Sequence, residues 1–429
     1  MSATLPAATA DRPLWWEDTE LPAGSDDDLP AEVDAVVVGG GYTGVTAARE
    51  LARRGRTVIV LEKEQLGYGA STRNAGFVHP GLKASSAKLE AKGAPGRALL
   101  GAGREAFALL ERLIAEEQID CDFRRDGRIV LAHSRHAMEH LRELQHTYRD
   151  GLHEQARIVP QAELPGVTTA SGFHGALEIE LGATLQPAKY YVGLARAAAA
   201  AGARLYPRTP ATSVDRLPGE GFRVGTPRGS VEARDVLVAT NGYTDSLFPE
   251  LRRRVIPIGS FIVATERLDE ERAALVSPPD SPGRALLDTR NFLHYWRLSP
   301  DSRLVFGGRA SFRRSTDARA ADVLEQAMLS TYPQLRGVRI EYAWSGKVAF
   351  TFDRLPHFGR VRGLTFALGY CGSGVGLSTY FGTLAGAWIA GEKPPAFAGI
   401  RFPTAPLYRG RPWFLPAVGL WYQLLEGVR

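Results

Sequence analysis

Cysteine is nearly absent from this chain: 429 residues carry two, Cys121 and Cys371. They form no Cys-x-x-Cys pair and no zinc spacing, which excludes a disulfide framework and fits a reducing compartment. Long apolar runs are missing as well. None reaches the roughly 18 residues that span a bilayer. The opening Met-Ser-Ala-Thr-Leu-Pro lacks the basic and apolar regions of a secretory signal, so the expected location is the cytoplasm. No block of one charge stands out. Fifty-two lysines and arginines face 47 acids, for a net charge of +5. The positive residues, mostly arginine, are scattered, without the basic stripe and interleaved aromatics of a nucleic-acid binder. His133, His136 and His140 fall at helical spacing, but no acid or cysteine completes a ligand set. They read as a solvated helix face, and no metal is expected. At this length the chain exceeds one ordinary core, so two domains are expected.

What is present begins at residues 33–62. An apolar β-type run, 35–38, feeds Gly39-Gly-Gly41-Tyr-Thr-Gly44, which opens an alanine-rich helix ended by Gly55. A second β-branched strand then ends in Glu62. Each part has a job in holding a dinucleotide. Gly39 permits the tight turn, Gly41 lets a pyrophosphate approach the backbone, and Gly44 lets helix and strand pack closely. The pyrophosphate sits on the helix N-terminus, with Tyr42 and Thr43 in its first turn. Glu62, followed by Lys63, is placed for the hydroxyls of an adenosine ribose.

Along the rest of the chain, 1–30 reads as an irregular leader whose Trp15 and Trp16 pack on the body, with 25–30 as a solvated linker. Helical patterns cover 86–118 and 137–150, with strands at 121–131 around an Asp126-Gly127 turn. Pro187 starts a helix over 190–202, and 204–206 is a strand. A hairpin at 222–233 leads into a strand at 235–239. Residues 287–308 read as a hairpin turning at Pro300-Asp301, 319–330 as a helix, and 342–368 as strands. A last helix spans 377–390 behind the glycine-rich 369–376. The expected fold is α/β: a Rossmann-type domain from 1–88, 187–255 and 340–429, interrupted by an α+β substrate domain on an antiparallel or mixed sheet from 89–186 and 256–339.

Six motifs in this order resemble one family. Gly39 to Glu62 is followed by Gly69-Ala-Ser71-Thr-Arg73-Asn74-Ala-Gly76, Val238-Ala-Thr240-Asn241-Gly242 and Arg303-Leu-Val-Phe-Gly307-Gly308-Arg309. Trp344-Ser-Gly346-Lys347 with Asp353-Arg-Leu-Pro-His357-Phe-Gly359 comes next, and Gly369-Tyr-Cys-Gly-Ser-Gly-Val closes the series. Over roughly 30–425 the chain resembles the FAD-dependent amine and amino-acid oxidases related to D-amino-acid, glycine and sarcosine oxidase, most of all the gamma-glutamylputrescine oxidase branch.

The resemblance implies noncovalent FAD, and one nucleotide unit without a second agrees. It places Ser71, Thr72, Arg73, Asn74, Ala75 and Gly76 along pyrophosphate and flavin, where Arg73 offers a fork of donors. It adds Thr240, Asn241 and Gly346 to the cofactor site. Gly372, Ser373, Gly374, Val375 and Gly376 become the helix start that meets the flavin ring, whose amides favour negative charge on reduced flavin.

The implied reaction takes a hydride equivalent from a carbon bearing an amine. The resulting imine hydrolyses to an aldehyde, and oxygen or another acceptor restores the flavin. Tyr295, on the strand 291–297 with Arg297 on its face and His294 and Trp296 on the other, walls the substrate pocket. Tyr295, Arg73 and Cys371 are the catalytic candidates, Cys371 as a flavin-adjacent thiol and not a nucleophile.

Sarcosine-branch relatives pair the substrate carboxylate with a lysine where this chain has Gly376, and carry a histidine where it has Ser373. The expected substrate is therefore an amine without a carboxylate beside the reacting carbon, unless Arg73, Arg297 or Arg309 substitutes. At the relatives' oxygen-activating lysine this chain has Val305-Phe306, with Lys347 nearby. The alternatives are an amino-acid oxidase of glycine or sarcosine type, and an NAD(P)H-fed flavin hydroxylase, which should lack the closing motif. A further one is a non-catalytic FAD-holding subunit.

Overall fold

The computed structural model describes residues 9–82, 86–151, 154–308 and 317–426. The valine-rich Glu32–Val38 strand is buried along most of its length and sits in the middle of the first sheet. It pairs in parallel with Val58–Leu61 on one side and Gly229–Val238 on the other. The order runs His357–Val361, Leu364–Leu368, Gly229–Val238, Glu32–Val38, Val58–Leu61, Arg204–Tyr206. Strands buried on both faces are written as near-continuous β-branched runs, which is how 35–38 and 58–61 read. On one face pack the helices Tyr42–Arg53, Gly93–Glu116, Pro187–Ala200 and Gly374–Ile389. Gln186 starts the third of these: its side-chain oxygen accepts from the Ala188 and Lys189 N–H groups at 2.6 and 2.9 Å, satisfying two orphan donors.

The second sheet runs Ile340–Thr351, Val255–Arg267, Arg303–Gly308, His294–Leu298, Ala285–Asp288, Arg128–Leu131, Gly175–Ile179, Ala156–Pro160. It is antiparallel except between Ala285–Asp288 and Arg128–Leu131. The Asp317–Thr331 helix covers one face with Ala320, Leu324 and Met328. A Rossmann-type layer joined to a mixed-sheet domain is the fold the sequence led us to expect.

Several local expectations fail for physical reasons. No hairpin forms at Asp126-Gly127. The segment before the turn makes one isolated bridge, Arg124 to Thr184, while Arg128–Leu131 finds partners far away in sequence. The long Val255–Arg267 strand was not anticipated, because Pro257 and Gly259 break its pattern. It nevertheless pairs on both sides. A further helix, Leu415–Glu426, follows the one expected to be last. Ile340–Thr351 hydrogen-bonds in the second sheet, and Gly93–Glu116 buries Leu99, Phe107 and Leu110 in the first core. We therefore propose domain pieces that exchange these two elements relative to the sequence-based division.

The leader is tied down as expected. Trp15 is buried against Trp344, and its Nε1 donates to the Asn74 carbonyl at 2.8 Å; Trp16 Nε1 donates to Thr72 Oγ1 at 2.9 Å. Among the described residues no helix is long and apolar enough to cross a membrane, and no histidine, cysteine and acid cluster could hold a metal. His136 and His140 sit exposed beside Glu139 and Glu143 on their helix. His133 lies before it, with Nδ1 2.7 Å from Thr289 Oγ1.

Candidate active site

The turn between the first strand and the first helix is built on close backbone approach. Gly39 has φ +107°, and a Cβ on Gly44 would lie 1.9 Å from the Gly39 carbonyl oxygen, so neither tolerates a side chain. Gly41 faces a large cavity and is the N-cap of the Tyr42–Arg53 helix. At this end the first N–H groups lack intrahelical partners. One of them, on Tyr42, donates to Ser71 Oγ at 2.9 Å.

Glu62 lines the same cavity at the end of the second strand. Its carboxylate accepts from the Gly40 N–H at 2.8 Å and the Glu64 N–H at 3.0 Å. Burial raises its pKa from the ordinary value, opposed by those backbone donors. Two oxygens offer about four acceptor sites, so the acid that fixes the turn retains capacity for ribose hydroxyls.

The Ala70–Arg73 turn is self-supporting. Asn74 donates to the Ala70 and Ser71 carbonyls and accepts from the Gly76 N–H at 2.7 Å. Thr72 is fully buried under Trp16, and Gly76 packs on Leu185, so neither lines the cavity; Ser71, Arg73, Asn74 and Ala75 do. Arg73 was expected to present its fork to an anion. Instead Nε donates to the Tyr68 carbonyl at 2.7 Å and Nη1 to the Ser345 carbonyl at 3.2 Å, with the guanidinium between the Trp16 and Tyr68 rings.

Arg297 lies fully buried behind the cavity. It donates to the Ala75 and Leu185 carbonyls at 2.8 and 2.7 Å. Burial pushes its guanidinium down to about 9, which leaves it charged at neutral pH. Arg309 lies outside the described residues.

The other end of the cavity is the glycine-rich loop. Asn241 Oδ1 accepts from the Gly369 N–H at 2.9 Å, and Thr240 Oγ1 meets Thr244 Oγ1 at 2.8 Å. The Cys371 N–H donates to the Ala349 carbonyl at 2.9 Å, and its Sγ donates to the Gly369 carbonyl at 3.2 Å. Tyr370 and Thr43 hydroxyls meet at 2.7 Å, joining the two helix starts. Gly372, Gly374 and Val375 line the cavity. Ser373 is the N-cap of Gly374–Ile389, and its buried hydroxyl has no partner. Gly376 faces Ala106 and lies away from the lining.

The far wall is one face of the second sheet. Register places Ile262 opposite Gly307, Gly307 opposite Tyr295, Tyr295 opposite Leu287, and Leu287 opposite Val130. Alternation adds Ser260, Ile258 and Val348. The Tyr295 ring lies over Gly307, its edge against Phe77, and its hydroxyl meets Ser260 Oγ at 2.8 Å. Gly346 and Lys347 line the cavity too, Lys347 with Nζ 5.1 Å above the Tyr243 ring.

The cavity volume, about 1830 Å³, exceeds the roughly 300–1,000 Å³ of a drug-sized pocket. It therefore has room for a dinucleotide and a substrate together. Cradle glycines, a strand-end acid and a second helix start on one cavity fit FAD. Sequence reasoning missed Phe77, His79, Ser260, Leu293 and Arg128, all in the lining. None carries a local motif; strand pairing across the second sheet brings Ser260 and Arg128 here.

A family model described as FAD dependent oxidoreductase (DAO) matches residues 34–388. The chain is 31% identical over 399 residues to gamma-glutamylputrescine oxidoreductase of Escherichia coli, covering 92% of each. It is also 31% identical to a probable oxidoreductase, OrdL, of Haemophilus influenzae, covering 88% of each. The crystal structure of glycine oxidase from Geobacillus kaustophilus superposes with a TM-score of 0.74 at 24% identity, over 88% of this chain and 99% of that one.

Proposed function

The chain belongs to the DAO family of FAD-dependent oxidoreductases, and on that premise we propose that it oxidises the CH–NH bond of an amine lacking a carboxylate beside the reacting carbon. The product is an imine that water hydrolyses to an aldehyde, with oxygen or another acceptor completing the cycle. FAD, when bound, supplies the two-electron acceptor. The protein's share is placement and shielding.

The two helix starts, at Gly41 and Gly374, favour negative charge at both ends of the cofactor. Phe77, Ile262, Leu287, Leu293 and Val348 keep water from the wall where Tyr295 stands. An apolar wall also favours the neutral, reactive form of an amine over its ammonium. With the amine arriving deprotonated, no side-chain base is required. Placement over the cofactor then accounts for much of the rate.

One observation carries the choice of substrate. Among the described residues no cation stands ready around Tyr295 for an adjacent carboxylate. Arg73 is held by two carbonyls and two rings, and Arg297 is buried behind the wall. Burying a carboxylate without a partner is costly. A relative named for gamma-glutamylputrescine supports an N-acylated diamine. The glycine oxidase likeness concerns the fold.

The test is anaerobic bleaching of the flavin by sarcosine, glycine, D-alanine, putrescine and gamma-glutamylputrescine, followed by readmission of oxygen. The acylated diamine should give the highest kcat/KM. If one of the three amino acids does, the substrate reading fails. Rapid recolouring by oxygen identifies an oxidase; slow recolouring assigns reoxidation to another acceptor.

A further inference from the structure

A buried charge stands on the cavity's far wall with no acid to balance it among the described residues. Arg128 is 8% exposed and lines the cavity. Its Nη2 donates to the buried Tyr148 hydroxyl, its guanidinium lies 5.3 Å from that ring, and its Nε has no partner. Among the described residues no carboxylate comes within ion-pair distance of it. Among the described residues, every other arginine of comparable burial is neutralised or held: Arg49 by Glu117, Arg303 by Asp301 and Glu341, Arg297 by two carbonyls. A guanidinium removed from water without such compensation is strongly disfavoured, unless a ligand completes it.

The register shows which ligand group could do so. Tyr295 pairs with Leu287, Leu287 with Val130, and Arg128 lies two residues before Val130 on the same face. Two strand spacings of about 4.8 Å and one two-residue step of about 6.6 Å separate the two Cα atoms by roughly 12 Å. Among the described residues by which this face lines the cavity, Arg128 is the charged one.

We propose that Arg128 binds a carboxylate at the far end of the amine substrate, on the order of nine bonds from the carbon oxidised beside Tyr295, at the roughly 1.2 Å per bond of an extended chain. The inference rests on the function proposed above. It deepens that function, because the same wall, which among the described residues offers no cation next to the reacting carbon, offers one at tail distance. The carboxylate of a gamma-glutamyl group on a four-carbon diamine falls at this spacing. That of glycine, one bond from the reacting carbon, or of sarcosine, three bonds from its N-methyl carbon, cannot reach Arg128 while the reacting carbon lies at Tyr295. A bidentate guanidinium–carboxylate pair in a water-poor pocket is strong and selective.

The experiment measures binding, so it does not depend on turnover. Gamma-glutamyl-n-butylamine lacks the amine that would be oxidised. It and its carboxamide counterpart are titrated calorimetrically into the FAD-loaded enzyme. Wild type should bind the carboxylate at least tenfold more tightly than the carboxamide. In Arg128→Gln that ratio should fall to about one, while Arg128→Lys should keep part of it.

Equal affinities in wild type, or a ratio unchanged by Arg128→Gln, would overturn the assignment. So would loss of FAD with the ratio intact, which would make Arg128 a cofactor residue. If Arg128→Gln does not fold, Arg128→Met replaces it, and the wild-type and lysine ratios still decide. Tail selectivity without flavin bleaching by any amine would sink the proposed reaction and leave the Arg128 site standing.

Discussion

Cys371 lies beside the cofactor cavity, and its geometry supports a packing role. It is 1% exposed, adopts φ +54°, and its thiol donates to a backbone carbonyl two residues earlier. The position needs a small side chain that tolerates a left-handed backbone, which serine meets. Cys371→Ser should therefore keep kcat/KM within about tenfold. A loss beyond a hundredfold, about 2.7 kcal/mol of barrier, would show direct participation.

Asp288 makes the opposite case, a buried acid with a measurable role in stability. Its carboxylate meets Arg290, the His294 ring, and the N–H groups of both residues at the start of the Tyr295 strand. Burial pushes the carboxyl up, but His294 and Arg290 outweigh it and hold it below its ordinary 3.8. The unfolded chain then binds the proton more readily than the native one, so the stabilisation is complete above pH 3.8 and disappears as pH falls through the native pKa. Asp288→Asn should accordingly lower stability above about pH 5, with the gap to wild type narrowing below pH 4. Urea titrations across that range measure it, and a gap independent of pH would refute the role.

At the scale of elements, the Tyr42–Arg53 helix is the part whose function was most legible. The turn, the helix and the Glu62 strand are contiguous, so spacing alone specifies their geometry. The structure adds what spacing could not show: Ser71 closes the helix start from outside. A Cβ on Gly41 would come within 2.9 Å of Ser71 Oγ, in the space a pyrophosphate needs. Gly41→Val should yield a folded but colourless protein, with FAD absorbance lost and far-ultraviolet circular dichroism kept. A yellow variant would move the cofactor elsewhere.

The Arg128–Leu131 strand was the least legible element. A turn signal at Asp126-Gly127 suggested a local hairpin, yet its partners are Gly175–Ile179 and Ala285–Asp288. Burial of Arg128 left no trace in a sequence crowded with arginine.

For the whole molecule, the class of fold and the cofactor cradle could be read from the chain, because both rest on local period and spacing. The substrate wall could not. It is assembled from strands separated by more than a hundred residues, and only the sheet register identifies which side chains share its face. The same enclosure leads us to expect that FAD is held by shape and polar contacts without a covalent bond. The cavity is walled by both sheets, and the one thiol on it, that of Cys371, is turned to its own loop. Acid precipitation should leave a white pellet and a yellow supernatant. A yellow pellet would demonstrate a covalent link.

The docking of the leader governs when folding can finish. Ala10 bridges Tyr342, Thr9 Oγ1 donates to the Ile340 carbonyl across 331 residues of sequence, and Trp15 rests against Trp344. At about 5–20 residues per second of synthesis, that partner strand emerges on the order of half a minute after the leader does. Until then Trp15 lacks its Trp344 partner, even though Asn74 and Thr72 are already there to accept from the two indoles. Completion of this molecule is therefore tied to translation beyond residue 340, and a ribosome pausing before it would hold the nascent chain with its leader only partly docked.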